Sequence, residues 1–395
     1  MSSFTILPDA SLRKPATLLH FFFFILSVYI HAVLVILLPK TRKLQQLLLP
    51  ITLSLAWTCV VHRGYRICAK DRMGYLNTFW MILLTIQTLR AIEWTLQRDP
   101  YRRLDPPVDG APSIERLTFR TVLLHALDLS FNLRGIGWSW TRNPFPALQE
   151  LRPIPVQLFL IIIQLLVFDT LHAFVQWSHP SLNRPEGDTL FDPSLAPFPR
   201  ILWACVATFC AGMLIFLALD TGHGICAVIA RIFLRHPAWH WPPLFSAPWA
   251  ATSLADFWGR WHQLFRRQFS FFGRLLGSAF RSRRAGALLG AFVLSGLLHD
   301  LGTWGLRAEG GAEPLSVSAF FVAMGAGIML EQFWKPRGVL GWIWTYAWTI
   351  GWATRWMDAW ARRGVFASMF AQEWLRPGKM IVECVTHATT TKGSA

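Results

Sequence analysis

Two stretches of this chain gather side chains able to do chemistry. The first reads Thr252-Ser253-Leu254-Ala255-Asp256-Phe257-Trp258-Gly259-Arg260-Trp261-His262, an acid, a cation and an imidazole set among aromatic rings. The second is the apolar run Leu288-Leu289-Gly290-Ala291-Phe292-Val293-Leu294-Ser295-Gly296-Leu297-Leu298, which ends on His299 and Asp300. An ionisable group that closes such a run faces a bundle interior or a wet cavity, because exposing it to lipid is costly. Two readings of His299 follow. One is a hydrogen bond that holds neighbouring helices together. The other is a general base: neutral imidazole accepts a proton near pH 7, and acyl transfer to an alcohol requires the hydroxyl proton to leave as the oxygen attacks a thioester carbonyl. Asp300 sits beside His299, but adjacent helical residues point in different directions, which counts against Asp300 as the group that orients the ring.

The order of these elements resembles the membrane-bound O-acyltransferase superfamily in its wax-synthase-like branch, where a Ser-Leu-x-Asp-Phe-Trp-Gly-Arg-x-Trp-His stretch precedes a Ser-Gly-x-x-His helix. Here they stand as Ser253, Leu254, Asp256, Phe257, Trp258, Gly259, Arg260, Trp261 and His262, then Ser295, Gly296 and His299. Asn132-Leu133-Arg134-Gly135-Ile136-Gly137-Trp138 is similar to the Arg-Gly-Ile-Gly-Trp element of fungal wax-synthase-like proteins, often natural-product acetyltransferases. The resemblance implies an all-α, integral-membrane bundle with an internal tunnel, working in the endoplasmic reticulum. It implies no permanently bound cofactor, with acetyl-CoA or another acyl-CoA as co-substrate and a terpenoid or meroterpenoid alcohol as acceptor. A long-chain alcohol, as in wax ester synthesis, is the rival acceptor. Carried over residue by residue, His299 becomes the base and Asp256 its partner position. Asp256 also reads as a cap for the amide ends of a helix beginning around Phe257.

Arg260, Arg266 and Arg267 follow Asp256, and guanidinium groups hold the phosphates of coenzyme A with paired hydrogen bonds. A cationic face against anionic lipid accounts equally well for Arg266 and Arg267. Trp258 and Trp261 suit the wall of an acyl or CoA channel, and also suit interfacial anchoring.

These groups must be positioned by elements suited to a bilayer. Of 395 residues, 53% are hydrophobic and 15% charged, fewer charges than a soluble domain of this size carries. Subtracting 22 acidic from 38 basic residues leaves +16, which on such a hydrophobic chain points to an anionic membrane surface and away from nucleic acid. The 21 Trp and 30 Phe suit two lipid–water interfaces and an apolar interior. The run from Ala16 to Leu38 is long enough to span and lacks a cleavage site, so it reads as a retained signal anchor. Further apolar runs lie near 47–61, 74–91, 154–175, 200–219, 285–305, 315–334 and 339–358, with a shorter one around 222–235. They predict about eight or nine transmembrane helices, of which 47–61 and 222–235 are short enough to be tilted, broken or re-entrant. Arg266, Arg267, Arg274, Arg281, Arg283 and Arg284, with no acid among them, place 266–284 on the cytosolic face. Polar insertions at 92–152 and 236–270 are too short for separate cores, so residues 1–395 read as one domain with a wax-synthase-like core over about 130–360.

Other intramembrane polar groups read first as links between helices and second as lining of a substrate path. These are Asp169 with His172, Asp220 with His223, and Glu331, with His20 and His31 weaker still. The cysteines at 59, 68, 205, 210, 226 and 384 form no metal or disulfide pattern and read as small buried hydrophobes. No Gly-x-Ser-x-Gly elbow appears, and only His236 and His240 are spaced like part of a histidine box, with Pro237 between them. A membrane transporter is the competing class, separated from an enzyme by whether a thioester is consumed.

Overall fold

A computed structural model of the chain describes residues 17–59, 72–104, 116–141, 152–278, 282–306 and 315–392. Arg281 and Cys68, singled out above, lie outside them, as does the start of the 16–38 run. In chain order the helices are α1 (Leu18–Ile36), α2 (Arg42–Trp57), α3 (Gly74–Leu96), α4 (Phe119–Phe131), α5 (Ile154–Ser178), α6 (Pro197–Phe233), α7 (Leu254–Arg260), α8 (Arg266–Gly277), α9 (Arg283–Trp304), α10 (Ser316–Trp334), α11 (Gly338–Ala361) and α12 (Pro377–Lys392). Among the described residues the β pairing is an isolated antiparallel bridge between Arg103 and Trp138. The all-helical expectation therefore holds for what is described.

Among the described residues, five helices are long and apolar enough to cross a membrane: α1, α5, α6, α9 and α10. Helices α3 and α11 match them in length, at 23 and 24 residues, but the first carries Arg90 and Glu93 and the second Arg355 and Asp358. The runs near 200–219 and 222–235, read as separate, are one 37-residue helix, which corrects that expectation. Gly222 and Gly224 cost only about 1 kcal/mol each in a helix interior and no proline intervenes, so the chain continues without a break. At 1.5 Å per residue such a helix is longer than a ~30 Å hydrocarbon layer, so it must tilt or project into the interface. The 47–61 run begins earlier than its apolar stretch, at Arg42. The polar 92–152 insertion contains α4. Cys226 and Cys384 are exposed, against the expectation that the cysteines are buried, whereas Cys59 and Cys210 are buried.

The described residues gather into two compact units interleaved along the chain. The first draws on Met1–Ala69, Leu76–Gln149 and Gln263–Gly305. Its core forms where one face of α1, carrying Phe24, Val28 and Ala32 at helical spacing, meets Leu84 and Trp94 of α3, Leu129 of α4 and the fully buried Trp138. Helix α8 lies along α9 in the same unit. The second unit draws on Lys70–Tyr75, Glu150–His262 and Leu306–Ala395. In it α5 packs on α6 and α12, α10 on α11, and α11 on α6. Outward-facing Val156, Phe159, Ile162 and Ile163 on α5 are what a helix with lipid for solvent presents.

Candidate functional site

His299 lies in the fifth turn of α9, half-buried, and its Nδ1 lies 2.7 Å from the Ser295 carbonyl oxygen one turn earlier. A carbonyl oxygen only accepts, so the bond puts the ring proton on Nδ1 and leaves the lone pair on Nε2. A backbone carbonyl thus fixes the tautomer here, the task that was weighed for Asp300. Helix α9 starts on Ser282, whose hydroxyl accepts from the Ala285 amide at 3.4 Å. It is held against α8 by paired small-residue motifs, Gly273-x-x-x-Gly277 and Gly286-x-x-x-Gly290. A Cβ added to Gly277 would stand 2.3 Å from the Ala287 nitrogen, and one added to Gly273 would stand 2.5 Å from the Ala287 oxygen. Backbone therefore meets backbone along this hairpin.

Asp256 and Arg260 come together on α7. Arg260 Nε donates to Asp256 Oδ1 at 2.7 Å, one turn apart, with both side chains about a third exposed. The helix starts on Ser253, whose hydroxyl accepts from the Asp256 amide at 3.0 Å, so Asp256 occupies the third helical position and Ser253 the cap. The carboxylate reaches back to the Thr252 amide at 3.4 Å. Glu331, buried in α10, completes the seat. Its carboxylate accepts from the Leu254 amide at 2.5 Å, the Ala255 amide at 3.2 Å and the Trp344 indole at 2.9 Å. An anion thus sits where the amides of a helix start would otherwise lack acceptors. Trp258 packs against Phe320 and Phe321 at centroid separations of 6.2 and 5.7 Å, and Trp261 lies over Phe257 at 5.3 Å. His299 belongs to the first unit, and Asp256, Arg260, Trp258 and Trp261 belong to the second.

Arg266 is exposed in the first turn of α8. Arg267 is engaged. Its Nε donates to the buried Glu93 carboxylate at 2.6 Å, its Nη2 to the Tyr101 hydroxyl at 2.9 Å, and its guanidinium lies 5.3 Å from the Trp140 ring centroid. Tyr101 donates to the same carboxylate at 2.7 Å, and Gln268 adds a bond at 3.2 Å. Burial, and then the neighbouring Glu93 charge, push the Tyr101 phenol above its ordinary range. This cluster fastens the start of α8 to α3. Neither Glu93 nor the buried Arg90, whose guanidinium donates to the Leu129 and Ser130 carbonyls closing α4, stood out in the sequence. The available signal was an arginine and an acid three residues apart, on one helix face, at the end of an apolar run.

The Arg-Gly-Ile-Gly-Trp element folds as a tight turn around Asp128. That carboxylate accepts from Arg103 at 2.7 Å, the Trp138 indole at 2.7 Å and Asn132 at 3.2 Å. Gly137, at φ +76°, adopts a backbone shape that side-chain-bearing residues rarely take, and a Cβ there would meet the Arg103 guanidinium carbon at 2.9 Å. Asp169 and His172 anchor the C-terminal segment. Arg376 donates to Asp169 at 2.8 Å, to Gln176 at 3.1 Å and meets His172 at 3.2 Å, while Asp169 caps the first amides of α12 at Gly378 and Lys379. Asp220 accepts from Gln164 Nε2 at 2.6 Å, joining α6 to α5.

Residues 241–323 match the model of the membrane bound O-acyl transferase family, a span that takes in α7, α8, α9 and the start of α10. The chain is 26% identical over 238 residues to an O-mevalon transferase of Aspergillus niger, covering 53% of this chain and 52% of that protein. It is 28% identical over 240 residues to an acetyltransferase of Arthrinium sp, covering 54% and 53%. A long-chain-alcohol O-fatty-acyltransferase of Simmondsia chinensis is 38% identical over 134 residues, covering 30% and 35%. The chain spans about half the length of the first two curated relatives it matches. Asp256, Arg260 and His299 all lie inside the segment that matches this family.

Proposed function

We propose that this chain is an acyl-CoA-dependent O-acyltransferase of the endoplasmic reticulum membrane that moves an acetyl group from acetyl-CoA to a hydroxyl of a terpenoid or meroterpenoid natural product. The family match and the acetyltransferase and O-mevalon transferase names among the relatives support this reading. The observation that carries the chemical assignment is the 2.7 Å bond between His299 Nδ1 and the Ser295 carbonyl, which leaves Nε2 as the basic nitrogen.

In this mechanism Nε2 takes the hydroxyl proton as the alcohol oxygen bonds to the thioester carbonyl carbon. The carbon–sulfur bond then breaks, and the imidazolium returns the proton to the departing CoA sulfur. No acyl-enzyme forms. Holding donor and acceptor together in a dry tunnel supplies much of the rate by orientation and limits hydrolysis of the thioester. Asp256 acts as a positioning residue through Arg260, and Arg260 and Arg266 are the guanidinium groups offered to the phosphates of the donor, with Trp258 and Trp261 walling its path. Arg267, being tied to Glu93, contributes to that surface by holding α8 in place.

The test uses microsomes carrying the wild-type chain or His299→Ala, offered acetyl-CoA or palmitoyl-CoA with terpenoid and long-chain alcohols and read by mass spectrometry. The expected outcome is an acetylated terpenoid from the wild type, and a rate lower by a hundredfold or more from the variant at equal membrane abundance, the scale of a lost general base (~10²–10⁴). Near-normal transfer by His299→Ala overturns the assignment of the base. The similarity to the Simmondsia protein favours a second reading, in which a palmitoyl ester of a long-chain alcohol forms instead.

A further inference from the structure

At one end of the α5–α6 pair, within the second unit, a recess of about 390 Å³, open mouth included, is lined by Arg152, Gln157, Asp220, His223, Arg231 and Trp241. Arg152 stands just before α5, and Arg231 lies in the last turn of α6, so the cations sit where two antiparallel, membrane-length helices leave the apolar layer. The lining is rich in donors. Arg231 gives one N–H to the Arg152 carbonyl at 2.8 Å, and no acid pairs with either guanidinium among the described residues. The Trp241 indole nitrogen is buried and has no acceptor among the described residues. The one carboxylate of the lining, Asp220, accepts from Gln164 Nε2 at 2.6 Å on one of its oxygens. Gln157, whose amide nitrogen lies against Gly224, completes this wall.

Two guanidinium groups and a buried indole N–H outnumber the one carboxylate of the lining and call for an anion with several acceptor oxygens. The surroundings say where that anion comes from. Outward apolar rows begin beside the recess on both helices, with Val156 and Phe159 on α5 and Ile229 and Ile232 on α6 exposed. We propose that this recess binds the headgroup phosphate of an anionic phospholipid, its acyl chains lying along those rows. A zwitterionic headgroup is disfavoured, because its ammonium cation would meet the two guanidinium groups of the lining. The site is independent of the acyl-transfer reading.

Full-length protein in detergent, unfolded thermally with dioleoyl phosphatidic acid, dioleoyl phosphatidylcholine or inorganic phosphate, tests the proposal. Phosphatidic acid should raise the unfolding temperature saturably, and the other two at matched concentration should not. Arg152→Ala and Trp241→Phe each leave the Arg231 bond to the residue 152 carbonyl in place. Each should require about tenfold more phosphatidic acid for half the shift. Equal stabilisation by phosphatidylcholine or by inorganic phosphate, or an unchanged phosphatidic acid response in both variants, overturns the lipid site. Should either variant fail to fold, native mass spectrometry of the wild type reads the same question. Retention of phosphatidic acid over phosphatidylcholine through delipidation supports the site, and equal retention overturns it.

Discussion

Glu331 illustrates how one buried carboxylate can set the position of several candidate site residues. It leaves α10 and takes the first two amides of α7 together with the Trp344 indole, so three donors share one anion. Charge and geometry act in the same sense here, since the helix start is the positive end of the backbone dipole. Glu331→Ala strands all three donors and should cost about 2–4 kcal/mol, read as a lowered unfolding temperature in detergent. Glu331→Gln retains one accepting oxygen but turns an NH₂ toward backbone donors, so its loss should be smaller. An unfolding temperature for Glu331→Ala within about 1 °C of the wild type would show that α7 holds its place without the carboxylate. The Asp256–Arg260 pair, a third exposed on both sides, contributes little stability by comparison.

Among the elements, the α8–α9 hairpin carries the most consequence for His299. Its two small-residue motifs bring the helix backbones together, and the Cβ positions of Gly273 and Gly277 would collide with main-chain atoms that cannot swing aside. Gly277→Val should separate the helices and cost about 1–3 kcal/mol or more, lowering both the unfolding temperature and acyl transfer. Gly212→Ala in α6 makes a control, because a Cβ there meets nothing within 4 Å. If Gly277→Val retains both stability and transfer while expressing normally, close packing of α8 is not what orients α9. The Glu93–Arg267–Tyr101 cluster fastens the same hairpin at its other side, through α3.

At the scale of the whole molecule, the C-terminal helix is tied back to the second unit by polar contacts made far apart in sequence. Arg376 meets Asp169, His172 and Gln176 on successive turns of α5, and Asp169 turns its other oxygen to the start of α12. Arg376→Ala removes the cation from a site where its side chain is 7% exposed, leaving Asp169 without its ion pair. The expected outcome is faster limited proteolysis around residues 368–377, with the rest of the chain protected as before. Digestion at the wild-type rate would show that packing of α12 on α5 suffices without the ion pair.

The helical class, the membrane setting and the two motifs inside the family-matched segment were legible in the amino-acid order, because hydropathy over 20 residues and a contiguous motif are local properties of a chain. Local order also placed His299 near the end of an apolar helix. It did not say which group holds the ring, and the answer, the Ser295 carbonyl, is backbone that no residue type reveals. Nor did it reveal that 200–219 and 222–235 join, since glycine reads as a break unless the neighbours that support a continuous helix are known. The pairings were decided by tertiary structure alone. Glu331 meets α7 across 77 residues, Arg267 meets Glu93 across 174, and Arg376 meets Asp169 across 207. Such contacts depend on which helix faces turn toward one another, and that is set by burial of whole faces at once, where periodicity marks an apolar side but not its partner.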